Sequence, residues 1–168
     1  MNRYTNRLLA KLFTAFPALS SRWGKGLDAD TGTIPWAKPI KPLREACLAL
    51  VTTGGVHLTT QQPFDMANPE GDASFREVSV NTPRETLAIT HDYYDHRDAE
   101  ADLNLVFPTE RLRELVTEGV VKSFRSPAIS LMGHINGRQL RILRESTAPA
   151  IAGLLASSGV DYVLLVPA

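Results

Sequence analysis

The stretch ACLALV at residues 46–51, followed at once by TTGG at residues 52–55, decides the fold of this chain. A continuous apolar run of this length that ends at glycine is typical of a strand buried on both faces of a sheet. The run DYVLLV at residues 161–166 has the same character and predicts a second such strand. Strands of this kind are usual in parallel sheets that carry helices on both faces.

Helical and strand patterns alternate between these two runs. Apolar side chains recur with helical spacing in two segments, and we expect Thr109 to cap the first helix, Gly119 to end it and Pro149 to kink the second. The predicted helices are 110–118 and 138–157, and the further predicted strands are 75–80, 86–90 and 128–132. The order of elements from residue 87 onward predicts right-handed crossovers. The predicted fold class is therefore α/β, with a mostly parallel, doubly wound sheet of the Rossmann or flavodoxin type.

Three regions follow one another along the chain. The spacing of Leu8, Leu12 and Phe16 predicts an amphipathic N-terminal helix within residues 1–23. Glycine and proline are frequent at 24–42, which predicts an extended connector. We expect residues 43–168 to form the α/β domain, with 56–72 as a long loop.

The composition excludes several classes of protein. The 168 residues contain 18 Lys and Arg and 18 Asp and Glu, so no basic excess is available to neutralise a nucleic-acid backbone. Cys47 is the single cysteine and cannot form an internal disulfide. The longest apolar runs are far shorter than the roughly 20 residues that span a bilayer. These features predict a cytoplasmic protein that has no integral membrane segment and does not bind nucleic acid.

The stretch THDYYDH at residues 90–96 is the densest polar cluster, and it follows directly on a predicted strand. Imidazole and carboxylate groups at the carboxyl end of a strand can move protons, bind a substrate or hold a divalent metal. We predict that His91, His96 and Asp95 are catalytic. The alternatives are a zinc site formed by the same three residues and a solvated turn without chemistry.

Further polar residues are expected at the same edge of the sheet, because ligands of α/β proteins lie beyond the carboxyl ends of parallel strands. The glycines at 54 and 55 let backbone N–H groups approach an anion, so we expect a substrate carboxylate there; a close-packing turn is the alternative. The predicted substrate-binding residues are Thr52, Thr53, Gly54, Gly55, His57, Asp92 and His134.

Several stretches between residues 43 and 168 together resemble the selenoprotein B family of glycine, sarcosine, betaine and D-proline reductases. The stretches that carry the resemblance are LVTTGGVH at 50–57, QPFD at 62–65, SFRE at 74–77, THDYYDH at 90–96, NLVFP at 104–108, RLREL at 111–115, LMG at 131–133 and GVDYVLL at 159–165.

The resemblance implies reductive cleavage of a C–N bond in a small amine or amino-acid substrate, with electrons from a thiol carrier protein. We expect His91 or His96 to give a proton to the departing amine, because an imidazole can exchange protons near physiological pH. In the family a reactive cysteine or selenocysteine typically follows the strand that 161–166 resembles. This sequence ends at Ala168 without it, so we expect the redox centre outside this chain, after loss of that segment or a stop at a UGA codon that should encode selenocysteine. No other cofactor is identifiable.

Two other functions are carried as alternatives. The first is a zinc-dependent hydrolase in which His91, Asp95 and His96, with His134, hold a catalytic metal that activates water. The second is a non-catalytic assembly subunit that docks through its N-terminal helix, either in a reductase complex or as a homo-oligomer.

Overall fold

A computed structural model of the protein describes residues 3–16 and 37–168. The strands in this part are β1 (Cys47–Thr52), β2 (Val56–Leu58), β3 (Arg76–Val78), β4 (Leu87–Ile89), β5 (Ser123–Phe124), β6 (Ala128–Ser130) and β7 (Tyr162–Val166). The α-helices are α1 (Arg3–Ala15), α2 (Arg97–Ala101), α3 (Thr109–Thr117), α4 (Gly137–Ile142) and α5 (Ala148–Ser157). Short 3₁₀ helices cover Leu43–Glu45, Arg84–Thr86 and Leu103–Leu105.

The main sheet is built around β1. Strand β7 pairs with it in parallel from Leu48 to Thr52, while β5 and β6 pair in parallel with its two ends on the opposite side. Strand β3 adds to β6 in antiparallel orientation. The spatial order is therefore β3, then β5 and β6 in one line, then β1, then β7 at the edge.

Side chains of β1 alternate between two hydrophobic clusters, as expected for a strand buried on both faces. Leu50 packs in a cluster with Phe107 and with Leu112 of α3, whereas Ala49 packs on the opposite face with Ile151 of α5. Helices thus cover both faces of a mostly parallel sheet. The predicted fold class is confirmed.

The predicted strand at 86–90 is present as β4, but its expected place in the parallel sheet was wrong. β4 forms a separate two-stranded antiparallel ribbon with β2, a segment that had been predicted as loop. Gly55 has φ +70° and turns the chain out of β1, so that its carbonyl accepts the N–H of Thr90 at 2.9 Å. A strand of three residues has too few positions for its hydrophobic pattern to identify the strand with which it pairs.

The predicted long helix is interrupted where a kink was expected. Helix α4 passes into a π-helical turn at Leu143–Thr147, and α5 begins there with Pro149 in its first turn, where a missing N–H costs least. The expected cap of α3 was wrong, because Thr109 is already helical and Pro108 precedes it without a side-chain cap. Gly119 ends α3 with φ +73°, as predicted.

The N-terminal helix of the described residues, α1, lies within the segment for which an amphipathic helix was predicted. Most of the predicted connector at 24–42 lies outside the described residues, which resume at 37. Among the helices of the described part, none combines the length and apolar character that crossing a membrane requires.

Candidate functional site

The carboxyl ends of the parallel strands β1, β6 and β7 meet at one edge of the sheet. The N–H of Thr53, just after β1, donates to the carbonyl of Val166 at 3.0 Å, and the Thr53 hydroxyl accepts the N–H of Ala168 at 3.0 Å. Gly54 forms a bridge to Met132, which follows β6. The edge predicted to carry the site is therefore formed by residues 53, 132–133 and 166–168.

His91 enters this edge from the end of β4 and is 3% exposed. Its Nδ1 accepts the backbone N–H of Tyr93 at 3.2 Å, whereas its Nε2 is buried without a hydrogen-bond partner. Burial lowers the pKa of His91 to about 4, and repulsion from His96 and His134 adds to the effect. His91 is therefore neutral near pH 7, and because Nδ1 accepts a hydrogen bond, its proton is on Nε2.

Five rings form a continuous row around His91, which we call the ring row. Its members in spatial order are His134, Tyr93, His91, Tyr94 and His96. Tyr93 stacks on His134 with 3.6 Å between ring centroids, and the remaining centroid separations along the row are 6.0, 4.8 and 4.6 Å. The structure thus brings together three of the four imidazoles of the predicted site.

Tyr94 ties the ring row to the turn after β1. Its hydroxyl donates to the carbonyl of Gly54 at 3.1 Å. Burial, together with the nearby carboxylate of Glu100, raises the pKa of Tyr94 to about 12, so the phenol stays protonated and remains a donor. Neither tyrosine had a role in the sequence-based site, although both lie inside the quoted cluster at 90–96.

The other polar residues of the 90–96 cluster have different surroundings. His96 directs Nε2 to the carbonyl oxygen of His91, and its Nδ1 lies 3.9 Å from Glu100. Asp95 forms an ion pair with Arg97 at 2.7 Å, which holds the pKa of this carboxyl below its usual range. Asp92 is 1% exposed.

The turn at 52–55 has its polar groups paired inside the chain. Thr52 donates its hydroxyl to the carbonyl of Val106 at 2.6 Å and accepts the N–H of Gly54 at 3.0 Å. The N–H of Gly55 donates to the carbonyl of Leu131 at 2.9 Å. Both glycine amides thus already donate within the chain, which leaves neither of them free for the expected carboxylate. The glycines serve close packing, because a Cβ on Gly54 would lie 2.9 Å from that of Val106.

His57 is 3% exposed and also has both ring nitrogens engaged. Nδ1 donates to the carbonyl of Leu58 at 2.7 Å, which leaves Nε2 to accept the hydroxyl of Thr90 at 2.8 Å. Its ring meets Phe64 edge-on. His57 therefore holds Thr90, the residue before His91, in place. Within residues 37–168, the ring of His57 contacts no ring of the ring row.

The zinc alternative receives no support from the geometry. Across residues 3–16 and 37–168, no three His, Cys, Asp or Glu side chains converge in an arrangement suited to a metal ion. Cys47 stands at the first position of β1, five residues and about 17 Å from the carboxyl end of that strand.

Gly133 is a further residue of this edge that is not among the predicted site residues. A Cβ on Gly133 would lie 3.1 Å from Nε2 of His91 and 3.3 Å from the hydroxyl oxygen of Thr53. The signal in the sequence is its position: Gly133 directly follows the apolar run at 128–132, so it lies at the carboxyl end of a predicted strand.

Comparisons with known proteins match most of the chain. The family model described as glycine/sarcosine/betaine reductase selenoprotein B matches residues 29–168. The D-proline reductase subunit gamma of Acetoanaerobium sticklandii is 35% identical over 130 residues, which are 77% of this chain and 52% of that protein.

Two proteins named glycine reductase complex component B subunit gamma are also similar. The one from Carboxydothermus hydrogenoformans is 30% identical and the one from Symbiobacterium thermophilum 31%, each over 79% of this chain and 30% of the relative. This chain therefore spans about half of the first relative and under a third of the other two. No solved structure matches it significantly.

Proposed function

Since the chain belongs to the glycine/sarcosine/betaine reductase selenoprotein B family, we propose that it is part of a reductase that cleaves a C–N bond in a small amino acid or amine. The observation that carries this proposal is the family match over residues 29–168, which include the whole sheet edge around His91. The names of the relatives support a role as a subunit of such a complex.

The names of the family and its relatives point to one class of substrate. Glycine, sarcosine, betaine and D-proline all carry a carboxylate one carbon away from the nitrogen. We expect the substrate of this chain to share that arrangement. We also expect it to bind at the sheet edge defined above, beside residues 53, 91 and 133.

Reductive cleavage consumes two electrons and two protons. The C–N bond breaks, the nitrogen leaves as an amine and takes one proton, and the carbon gains hydrogen, while a dithiol becomes a disulfide. Cys47, the single cysteine of these 168 residues, lies at the amino end of β1, whereas the candidate site lies at the carboxyl end. We therefore expect the cysteine or selenocysteine on another polypeptide segment or carrier protein, and derive no redox step for this chain.

The two imidazoles predicted to supply a proton differ in their suitability. His91 is neutral near pH 7, because its pKa is lowered to about 4, and so holds no second proton to give. His96, which faces Glu100, is the better candidate for the acid that protonates the leaving amine. Asp95 is positioned beside it in sequence but is paired with Arg97.

The proposal is tested by depleting a cell extract of this chain and then adding the purified chain back. An extract of the source cells, supplied with dithiothreitol, should reduce at least one of glycine, sarcosine, betaine and D-proline. Removing this chain with an antibody should abolish that reduction, and adding the purified chain should restore it. Undiminished reduction of all four compounds in the depleted extract would contradict the proposal.

A non-catalytic assembly role is favoured by one feature of α1 and the residue that follows it. Leu8, Leu12 and Phe16 are exposed at intervals of four residues and form an apolar stripe. Another subunit of a reductase complex is the partner that the relatives' names suggest. Deleting residues 1–23 should then abolish partner capture while leaving the thermal unfolding of the α/β domain cooperative, and unchanged capture would remove this candidate.

A further inference from the structure

We propose that Nε2 of His91 and the hydroxyl of Thr53 together bind the carboxylate of the substrate, beside the bare Cα of Gly133. This inference rests on the proposed function and deepens it, because it names the substrate group that the site recognises and the residues that recognise it. In this proposal His91 and Thr53 take the carboxylate-binding role that the sequence assigned to the amides of Gly54 and Gly55, whose N–H groups already donate within the chain.

The first support is a buried donor that has no partner. His91 is 3% exposed, and its Nε2 makes no hydrogen bond in the structure. The N–H of Tyr93 occupies Nδ1, so the neutral ring carries its hydrogen on Nε2. Buried polar groups are nearly always paired, so a buried, unpaired N–H at the ligand-binding edge of an α/β sheet points to a ligand acceptor.

The second support is convergence of polar atoms from different segments. The Cβ position of Gly133 lies within 3.3 Å of three of them: Nε2 of His91, the hydroxyl oxygen of Thr53 and the carbonyl oxygen of Ala168. The Thr53 hydroxyl accepts the N–H of Ala168, which leaves its own hydrogen free to donate. Two donors thus suit the two oxygens of a carboxylate.

A side chain on Gly133 would crowd the two donors. A methyl group at this position would press against Nε2 of His91 and the carbonyl of Ala168, each only 3.1 Å away. Gly133 is not one of the glycines with positive φ in the described residues. This position therefore requires glycine because it has no side chain, and not because of its backbone conformation.

The test is NMR of the purified chain with ¹⁵N-labelled histidine, titrated with D-proline, glycine and acetate, and with pyrrolidine as the amine that lacks a carboxylate. We expect the three carboxylates to shift the His91 Nε2 resonance and pyrrolidine not to shift it. Thr53→Val should weaken carboxylate binding about tenfold or more, the loss of one hydrogen bond to a charged group. The matched control Thr59→Val, at an exposed position, should bind like the wild type.

The outcomes separate this inference from the proposed function. His91 left unshifted by every carboxylate, a shift caused equally by pyrrolidine, or unaltered binding in Thr53→Val would each overturn the carboxylate site. Carboxylate binding with the expected pattern, combined with failed depletion and add-back, would keep the site and reject the reductase. Gly133→Ala provides a second variant, in which we expect binding to be lost while the ring-row resonances persist.

Discussion

The carbonyl oxygen of Thr90 lies 2.5 Å from the position that a Cβ atom on Gly55 would occupy. This contact joins the turn after β1 to the segment that leads into His91, and Gly55 also has φ +70°. Gly55→Ala should therefore destabilise the fold by about 2–5 kcal/mol, the sum of left-handed strain and overpacking against backbone. Urea unfolding at pH 7 measures the loss.

Gly119 provides the matched control for that substitution. It has nearly the same conformation, φ +73°, but a Cβ there would meet nothing within 4 Å. Gly119→Ala should cost about 1–2 kcal/mol, the strain alone. Equal losses in the two variants would show that the Thr90 contact contributes nothing.

Sequence reasoning predicted the centre of this fold and failed at its periphery. The continuous apolar run at 46–51 predicted β1 (Cys47–Thr52), because burial on both faces of a strand requires apolar residues at successive positions. The ribbon of β2 and β4 left no such trace, since its partners are fixed by a turn at Gly55 and by contacts made only after folding. Helix α3 was predicted correctly within one residue at each end, but not its cap.

The candidate site was predicted in part for the same reason. The sequence associated His91 with the sheet edge by assigning the strand before it to the parallel sheet, whereas the structure brings His91 there from the antiparallel ribbon of β2 and β4. Nothing in the sequence distinguished His91, whose Nε2 is unpartnered, from His57, whose two ring nitrogens are both bonded. That distinction depends on the position of individual hydrogen bonds, which composition and spacing do not encode.

The stability of the protein should fall on acidification because of His91. Its folded-state pKa is lowered to about 4 from 6.5, so the unfolded chain takes up a proton first as the pH falls. The contribution of His91 is fully present above pH 6.5 and is lost progressively toward pH 4. This loss is about 2 kcal/mol between pH 7 and pH 5.

Urea unfolding of the wild type and His91→Gln at both pH values measures that contribution. The variant should lose about 2 kcal/mol less than the wild type over this interval, because the other groups that face the ring, His96, His134 and Asp92, are the same in both proteins. An imidazole titration by NMR that places the pKa of His91 near 6.5 would contradict the expectation directly.

Asp161 should stabilise the start of β7 in a pH-dependent manner. Its carboxylate accepts Nζ of Lys41 at 2.7 Å and the N–H of Cys47 at 2.9 Å, and these bonds lower its pKa. The stabilisation is present above the ordinary pKa of an aspartate and is lost as the pH falls through the lower folded value. Asp161→Asn should therefore be less stable than the wild type at pH 7, with the gap narrowing at acidic pH.

Lys41→Ala separates the two interactions of that carboxylate. It removes the ion pair but keeps the bond to the Cys47 amide, so it should destabilise less than Asp161→Asn does. Its effect should also shrink in high salt, which screens a half-exposed pair. If Lys41→Ala proves the more damaging change at every salt concentration, the amide bond is not the dominant contact.

Arg76 should hold the loop before β3 through the planar shape of its guanidinium group. Nε donates to the carbonyl of Gln62 at 2.8 Å, a second nitrogen reaches the carbonyl of Pro63 at 3.2 Å, and the group lies 4.4 Å from the ring centroid of Phe64. A lysine ammonium cannot make these contacts together. Arg76→Lys should therefore cost about 1–3 kcal/mol in urea unfolding.

Arg111 is the control for that substitution. Its side chain is 59% exposed and pairs with Glu114 on the surface of α3, so Arg111→Lys should change stability by less than about 0.5 kcal/mol. Because Phe64 also meets His57 edge-on, loosening of the loop in Arg76→Lys should reach the histidine that holds Thr90. The ring resonances of His57 should shift in Arg76→Lys and stay in place in Arg111→Lys; identical spectra for the two variants would disprove the link between this loop and the site.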